Sequence, residues 1–478
     1  MVWVFGGSSN PDPRFDPNCI DFQTTPPTIH VLESDITLYI ANASICDTAG
    51  TLLLYTNGLE LRNHAHLLVE GGEVLEVGEA GSPSSGYFIP QSNLLLPFPQ
   101  RDSQYILFSE EAIFTNDRYV ITLKKFKWNI IDMGENDGLG EVILKDSVLL
   151  DTPLDWGQIT ATRHANGRDW WVVVPEFFSN GYFIFLLDPQ GVHFQSKQQL
   201  GPDVPPNLGQ SVFAPNGGKY AKGSSYNYRT VDTLVIMDFD RCSGTLSNPL
   251  LITKFDSTSV QGVAISPNSR YLYWAGSRYV YQLDLHAEDI AASMMRVAEW
   301  DGFADPFPTN FFLSQLGPDG KIYINSNNGV NYLHTINQPN LPGEACEVCQ
   351  HCVELPTRNF ASMPIFPNYR LGPIDGSPCD TLGIDNLVAV EEVERVEQAE
   401  LAVYPNPASE SFTVEYSREL HLGQRVVITD ITGRPMFNQS FQGKNTEINT
   451  SAFPPGLYLV CLLEEGRTIA RAKLLVNR

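Results

Sequence analysis

A chain of 478 residues with 31 basic and 55 acidic side chains carries a formal charge of −24, which opposes any role on a phosphate backbone. It is too long for one small domain and long enough for a large core. Its 37 glycines, 33 prolines and 11% aromatic content suit an all-β protein with many turns, and no apolar run approaches the length of a membrane-spanning helix.

Taken in order, residues 2–5 read as a short apolar strand, followed by a loop from Gly6 to Asp21 rich in Pro, Asn and Asp. Strands are expected at Ile29 to Leu32 and at Ile36 to Ile40. Cys46 to Gly50 is a turn, and Leu52 to Gly58 follows it as a strand. Arg101 to Ser103 with Tyr105 to Phe108 repeats that phrase, and a loop from Gly134 to Gly140 comes before the next copy. From there the repeat sharpens. His164 to Val172, Ser211 to Gly223, Val263 to Trp274 and Leu316 to Ile324 each read strand, tight turn, strand. Their turn residues Asn166, Asn216, Asn268 and Asp319 are spaced by 50, 52 and 51 positions. Asn and Gly tolerate φ > 0 at little cost, which suits Pro215-Asn216-Gly217 to a turn. A second marker runs in phase. The strands Tyr182 to Leu187, Thr233 to Met237 and Tyr279 to Leu283 are expected as third strands, ended by Asp188, Asp238 and Asp284.

A β pattern with a period of about 50 residues is the signature of a β-propeller, whose four-stranded blades bury their faces only by stacking round an axis. Six blades are marked. The N-terminal strand and the strand-like Cys352 to Arg370 are unclaimed, and together they complete a seventh. Closure by both chain ends would remove the exposed sheet edge. Seven blades are therefore expected over residues 1–380, with six as the alternative. Residues 381–400 are read as an acidic linker, since Glu391 to Glu400 shows no strand alternation. Residues 401–478 alternate as strands with Pro/Gly turns, which gives a small Ig-like β-sandwich.

In that last segment Val403-Tyr404-Pro405-Asn406-Pro407-Ala408, the strand and turn from Val426 to Arg434 with Gly433, Phe453 to Val460 with Gly456 and Tyr458, and the closing stretch with Lys473 and Leu475 stand in order. The segment resembles the type A C-terminal sorting domain of the Bacteroidetes type IX secretion system. The resemblance implies export through the periplasm, recognition by the outer-membrane translocon, removal of the tail by its sortase-like peptidase, and release or anchoring at the cell surface. Deleting the last strand is then expected to trap the protein in the periplasm with its propeller folded. Val4 to Gly7, Gly138 to Gly140 and Phe366 to Leu382 resemble secreted Bacteroidetes propeller proteins that carry this tail, a family that implies a fold and no catalytic residues. Met1 to Gly6 holds no signal-peptide pattern, so a start upstream of Met1 is expected.

Candidate chemistry is sparse. Cys346, Cys349, Cys352 and His351 could supply four zinc ligands, but adjacent His351 and Cys352 reach one ion awkwardly, and outside the cell thiols oxidise. Disulfides among Cys346, Cys349, Cys352 and Cys379 are preferred, with Cys349 a natural partner for Cys379. His64 and His66 would share a face on a strand, but no third ligand lies near, and a polar edge or loop is the simpler reading. The loops Asp12 to Asp16 and Asp132 to Asp137 lack EF-hand spacing; turn chemistry explains most of them, with Ca²⁺ as the alternative. Paired aromatics such as Trp170-Trp171, Tyr273-Trp274 and Phe311-Phe312 are read as packing between blades, with a carbohydrate-binding face as the alternative. No nucleophile elbow, phosphate loop or dinucleotide fingerprint appears. The expected function is a secreted or cell-surface binding or scaffold module with no cofactor and an unknown extracellular ligand, carbohydrate being one class. The alternative is a polysaccharide hydrolase or lyase with carboxylates at the propeller axis.

Overall fold

The structure, a computed structural model, describes all residues except 8–11, 74, 76–80, 83–85, 116–119, 206–207, 227–230, 255–259, 385–400, 417–423, 431–433, 441–442, 444, 465–466 and 478. The chain divides into two compact units, 1–386 and 387–478.

In the first unit the turn phrase sets the repeat. In five copies the backbone closes an i to i+3 bond onto a residue with positive φ. Gly50, Gly167, Gly217, Ser269 and Gly320 donate to the carbonyls of Asp47, His164, Ala214, Ser266 and Gly317 at 2.7–3.0 Å. The marker side chain then fixes the exit. Asn166 Oδ1 accepts from the Arg168 amide, Asn216 Oδ1 from Gly218, Asn268 Oδ1 from Arg270 and Asp319 Oδ1 from Lys321. An Asx oxygen bonding two residues ahead is what favours Asn or Asp at this position.

Seven blades follow, each with its strands adjacent in chain order, and a small two-stranded sheet, Gly81–Ser82 with Gly86–Tyr87, comes between the second and third in sequence. Blade 1 is Val2–Phe5, Asn18–Asp21 and Thr28–Val31, and blade 2 is Ala43–Cys46, Leu52–Thr56 and Leu61–Asn63. Blade 3 is Asn93–Pro97, Gln104–Thr115, Val120–Asp132 and Glu141–Leu154. Blade 4 is Thr160–Arg163, Trp170–Pro175, Ser179–Asp188 and Gly191–Val204, and blade 5 is Gly209–Phe213, Lys219–Tyr226, Val231–Asp240 and Thr245–Lys254. Blade 6 is Val260–Ile265, Tyr271–Gly276, Tyr279–Asp284 and Met295–Glu299; blade 7 is Ser314–Leu316, Ile322–Ile324, Val330–Ile336 and Val348–Asn359.

Packing closes the ring. Apolar clusters link blades 2, 3 and 4, then 4 to 5, 5 to 6, 6 to 7, 7 to 1, and 1 to 2. Because alternate strand residues point to opposite faces, Trp170 packs toward blade 3 while Trp171 packs toward blade 5. First strands pack on first strands of neighbouring blades and are buried, so they line the axis, whereas fourth strands such as Gly191–Val204 are the exposed rim. Glycine is required where inner strands touch: a Cβ at Gly262 would run into the Phe312 carbonyl.

Four expectations change. The seventh blade is not shared between chain ends. Residues 2–31 form their own sheet, and Cys352 lies in the outer strand of blade 7. The seam is closed instead by side chains: Trp3 sits 4.8 Å from Phe22, 5.3 Å from Tyr323 and 5.9 Å from Phe366, and Asn18 bonds the Thr357 backbone. Ile36 to Ile40 forms only a bridge at Leu38 to Gly6. Asp188 and Asp284 do turn the chain after the third strands, accepting from Gln190 and His286 amides. In blade 5, however, the strand runs on to Asp240, which accepts from the Cys242 amide, while Asp238 pairs with Lys219 at 2.5 Å. His64 and His66, in keeping with the simpler reading, lie in a turn after Leu61–Asn63, where His66 Nδ1 meets the Tyr55 hydroxyl at 3.0 Å. Phe311 and Phe312 are buried in the lead-in to the first strand of blade 7 and not in the strand itself.

The second unit pairs the sheet Leu401–Tyr404, Ser411–Tyr416, Asn445–Asn449 with the sheet Pro435–Ser440, Arg425–Asp430, Gly456–Glu464, Arg467–Val476. Phe412, Val414, Val426, Ile428, Val460, Leu462, Leu474 and Val476 form its core. The acidic stretch 391–400 lies outside the described residues.

Candidate functional site

One end of the axis is crossed by a strap. After the last blade the chain runs over the repeated turns from Phe366 to Cys379. The Phe366 amide bonds Gln315 Oε1, Asn368 Nδ2 bonds the Pro215 carbonyl, and the Tyr369 hydroxyl reaches the Leu95 carbonyl at 2.7 Å. Ile374 then pairs with the Ala165 carbonyl, Arg241 donates to the Gly372 carbonyl, and Cys379 is bonded to Cys242. The strap thus ties blades 3, 4, 5 and 7 together. Beneath Phe366 to Arg370 lies a cavity of 290 Å³, walled mainly by Val212, Phe213, Val263, Ile265 and the turn prolines. A loop closed over 137 positions removes much unfolded-chain entropy, about 5 kcal/mol in the chain-entropy picture.

Toward the starts of the inner strands the axis is filled by buried amides. Gln91 clamps Ser211 from both sides: its Nε2 donates to the carbonyl at 2.6 Å and its Oε1 accepts from the amide at 2.9 Å. Gln210 Oε1 accepts from the Val263 and Ser314 amides, and its Nε2 donates to the Ser314 carbonyl. Backbone groups at the axis have no sheet partner on that side, and these side chains satisfy them.

The ionisable groups of this region are sealed. Asp155, fully buried, is ion-paired with Lys222, which is 2% exposed. Glu110 is fully buried, and desolvation, reinforced by Asp155, pushes its carboxyl well above the usual range. Burial likewise raises Tyr182 and Tyr220. Glu110 is therefore held neutral in the folded ring. In the unfolded chain it ionises above the ordinary glutamate range, so its contribution declines as pH rises from there toward the folded value. Glu110→Gln is expected to gain on the natural protein as pH rises above the ordinary glutamate range, by at most about 1.4 kcal/mol per pH unit, read as urea midpoints across pH. A difference that shrinks with rising pH would refute the neutral carboxyl.

The structure places the sulfurs differently from expectation. Cys379 joins Cys242 and not Cys349; Cys349 joins Cys352; Cys346 is a buried free thiol. The expected partner of Cys379 is displaced because the strap crosses the axis, away from the rim strand that carries Cys349. Asp12 is engaged by Arg14, and Asp132 accepts from Gln104 and the Gly134 amide. Among the described residues no group of three or more His, Cys, Asp or Glu could hold a metal ion. Sequence reasoning missed Glu110, Asp155, Lys222 and the axial glutamines. Gln210 shares one signal with Gln158, whose carbonyl accepts from the Ser211 hydroxyl: a Gly-Gln pair at the head of an inner strand, Gly157-Gln158 and Gly209-Gln210, whereas Gln91 follows Pro90 and the three charged residues carry no such mark.

In the tail, the opening and closing motifs meet. Asn406 Nδ2 donates to the Lys473 carbonyl at 2.7 Å, and its Oδ1 accepts from the Leu475 amide at 2.8 Å. Pro405 and Pro407 flank it, and Ala408 bridges Val476. Tyr404 is 45% exposed and bonds Glu415. Gly456 pairs with Val476, and buried Tyr458 bonds the Pro454 carbonyl at 2.6 Å. Lys473 is exposed opposite Leu459. As strand alternation requires, Leu474 and Val476 are buried and Leu475 is exposed beside Leu457. Gly433 lies outside the described residues.

Residues 402–477 match the Secretion system C-terminal sorting domain family. An endo-acting ulvan lyase of Formosa agariphila is 34% identical over 115 residues, which span 23% of this chain and only 22% of that enzyme. Among solved structures, PorZ, a surface component of the type IX secretion system of Porphyromonas gingivalis, aligns at 12% identity over 97% of this chain and 68% of that one, with a TM-score of 0.32. The Dos1 propeller aligns at 10% identity over 76% and 83%, with a TM-score of 0.37. The sorting tail marks the chain for export to the cell surface or secretion, and no described helix is long and apolar enough to cross a membrane.

Proposed function

We propose that the seven-bladed ring is a binding scaffold displayed outside the cell, with an extracellular polysaccharide as its ligand. The observation that carries the scaffold reading is the sealed axis. Glu110 and Asp155, the carboxylates best placed for an axial acid–base pair, are buried, one held neutral and the other ion-paired with Lys222. A general acid or base must reach the proton it moves, and neither does. The polysaccharide class rests on the stretch of likeness to the ulvan lyase. The full chain, presented with ulvan and a panel of other polysaccharides, is expected to bind at least one without shortening it. Depolymerisation would favour the lyase reading, and no binding to any would remove the ligand class. The reading assigns no cofactor: calcium and its chelation are expected to leave Tm unchanged, and a calcium-dependent rise would assign the Asp-rich loops to a bound ion.

For the tail, we infer that the translocon reads the face formed by Leu457, Leu459 and Leu475, all exposed on neighbouring strands, before the sortase-like peptidase removes the domain. Asn406→Ala takes two hydrogen bonds from the last strand, and a loss of about 1–3 kcal/mol in tail stability is expected. The variant should accumulate in the periplasm. Normal surface yield of a tail so destabilised would separate the clamp from export.

A further inference from the structure

The sequence between Cys346 and Cys352 plays no part in the axis, the strap or the tail. Along the rim strand Val348–Asn359 the register with the neighbouring strand moves from Thr335 opposite Cys349 to Leu333 opposite Val353. Gln350, His351 and Cys352 thus bulge out of the ladder opposite His334. The Cys349–Cys352 disulfide closes this bulge, with Cys352 exposed and Cys349 half-buried. His351 holds the bulge in place. Its backbone is left-handed at φ 42°, and its amide donates to Nδ1 of buried His334 at 3.0 Å. Its imidazole stacks on Phe303 at 4.3 Å, with Nε2 3.0 Å from Asp301 Oδ2.

Two disulfides in one unit invite comparison. Stabilisation by a cross-link grows with the length of loop it closes. Cys242–Cys379 spans 137 positions and fastens the strap, whereas Cys349–Cys352 spans three within a single strand. The short ring constrains the unfolded chain least and offers a sulfur to solvent. Its neighbours hold the bulge without it, through His351, His334, Phe303 and Asp301.

We propose that Cys349–Cys352 is a thiol–disulfide exchange site that hands its disulfide to a dithiol on a partner protein. A partner thiolate attacks the exposed Cys352 Sγ. The Cys349–Cys352 bond breaks, and its electron pair leaves on Cys349 Sγ, which takes a proton from water. The second partner thiolate attacks the partner sulfur of the mixed disulfide, and Cys352 departs and is protonated. The partner dithiol loses two electrons and becomes a disulfide; Cys349 and Cys352 gain them and become thiols. A small disulfide such as oxidised glutathione restores the ring by the reverse sequence. The inference is independent of the polysaccharide reading.

The native full chain is treated with limiting dithiothreitol, alkylated and mapped by mass. Alkylation is expected at Cys349 and Cys352 well before Cys242 and Cys379, with Tm unchanged. The Cys349→Ser variant, given oxidised glutathione, is expected to carry one glutathione on Cys352. Opening of Cys242–Cys379 first, reduction of the rim pair only as the chain unfolds, or absence of an adduct on folded Cys349→Ser would each overturn the proposal. If that variant does not fold, the order of alkylation in the natural chain decides alone.

Discussion

Trp3→Ala is expected to lower the stability of the propeller by about 3–5 kcal/mol, the range for truncating a large buried aromatic. Trp3 is fully buried and stands where blade 1 meets blade 7, against Phe22, Tyr323 and Phe366. No strand is shared across this seam, so the side-chain cluster and the bonds of Thr357 to Asn18 and to the Asp16 carbonyl close it. A comparable truncation between blades 5 and 6, such as Leu272→Ala, removes packing but leaves the closure intact. Trp3→Ala should therefore also raise protease cutting in residues 1–31, whereas Leu272→Ala should not. Urea midpoints and limited proteolysis read the two effects. A loss below about 1 kcal/mol, the usual size of a surface change, would mean that the seam is held by something else.

The contrast between that seam and the blades explains what could be read from residues alone. Each blade announces itself locally. Asn216, Asn268 and Asp319 bond two residues ahead, so a short stretch of sequence carries the whole turn and the period follows. Alternation in the tail is local too, and the split of Leu474 from Leu475 is visible in it. The third-strand marker slipped by two residues in blade 5 because Asp238 and Asp240 both suit a turn, and it is Lys219 and Asn248 on the neighbouring strands that take Asp238 out of contention. Closure depends on residues more than 300 positions apart, Trp3 and Tyr323, that share no periodic signal. The strap was legible as a motif but not as a path: nothing in Phe366 to Cys379 says which blade it will cross, and so the partner of Cys379 stayed hidden. Glu110 and Asp155 look like ordinary acidic residues beside strands. Only assembly of blades 3, 4 and 5 removes them from water.

That assembly makes Lys222 the residue whose loss should matter most at the axis. Its ammonium, 2% exposed, faces the fully buried Asp155, whose carboxylate also accepts from the Trp156 amide at 2.8 Å and lies close enough to Glu110 to raise it. Lys222→Met keeps an unbranched stem and removes the ammonium with its charge and hydrogen-bond donors. The Asp155 carboxylate is then buried without its cation, and a loss of about 3–5 kcal/mol is expected, the range for breaking a buried ion pair from one side. Most of that loss is the burden of the stranded carboxylate, not the worth of the pair. The double variant Lys222→Met with Asp155→Asn removes the charge while keeping an oxygen for Trp156, so it should recover more than half of the deficit. Stability to urea, measured for both single variants and the double, gives the coupling directly. If the double variant is as unstable as the sum of its parts, the pair is not coupled, and the Lys222 side chain supports the axis by packing alone.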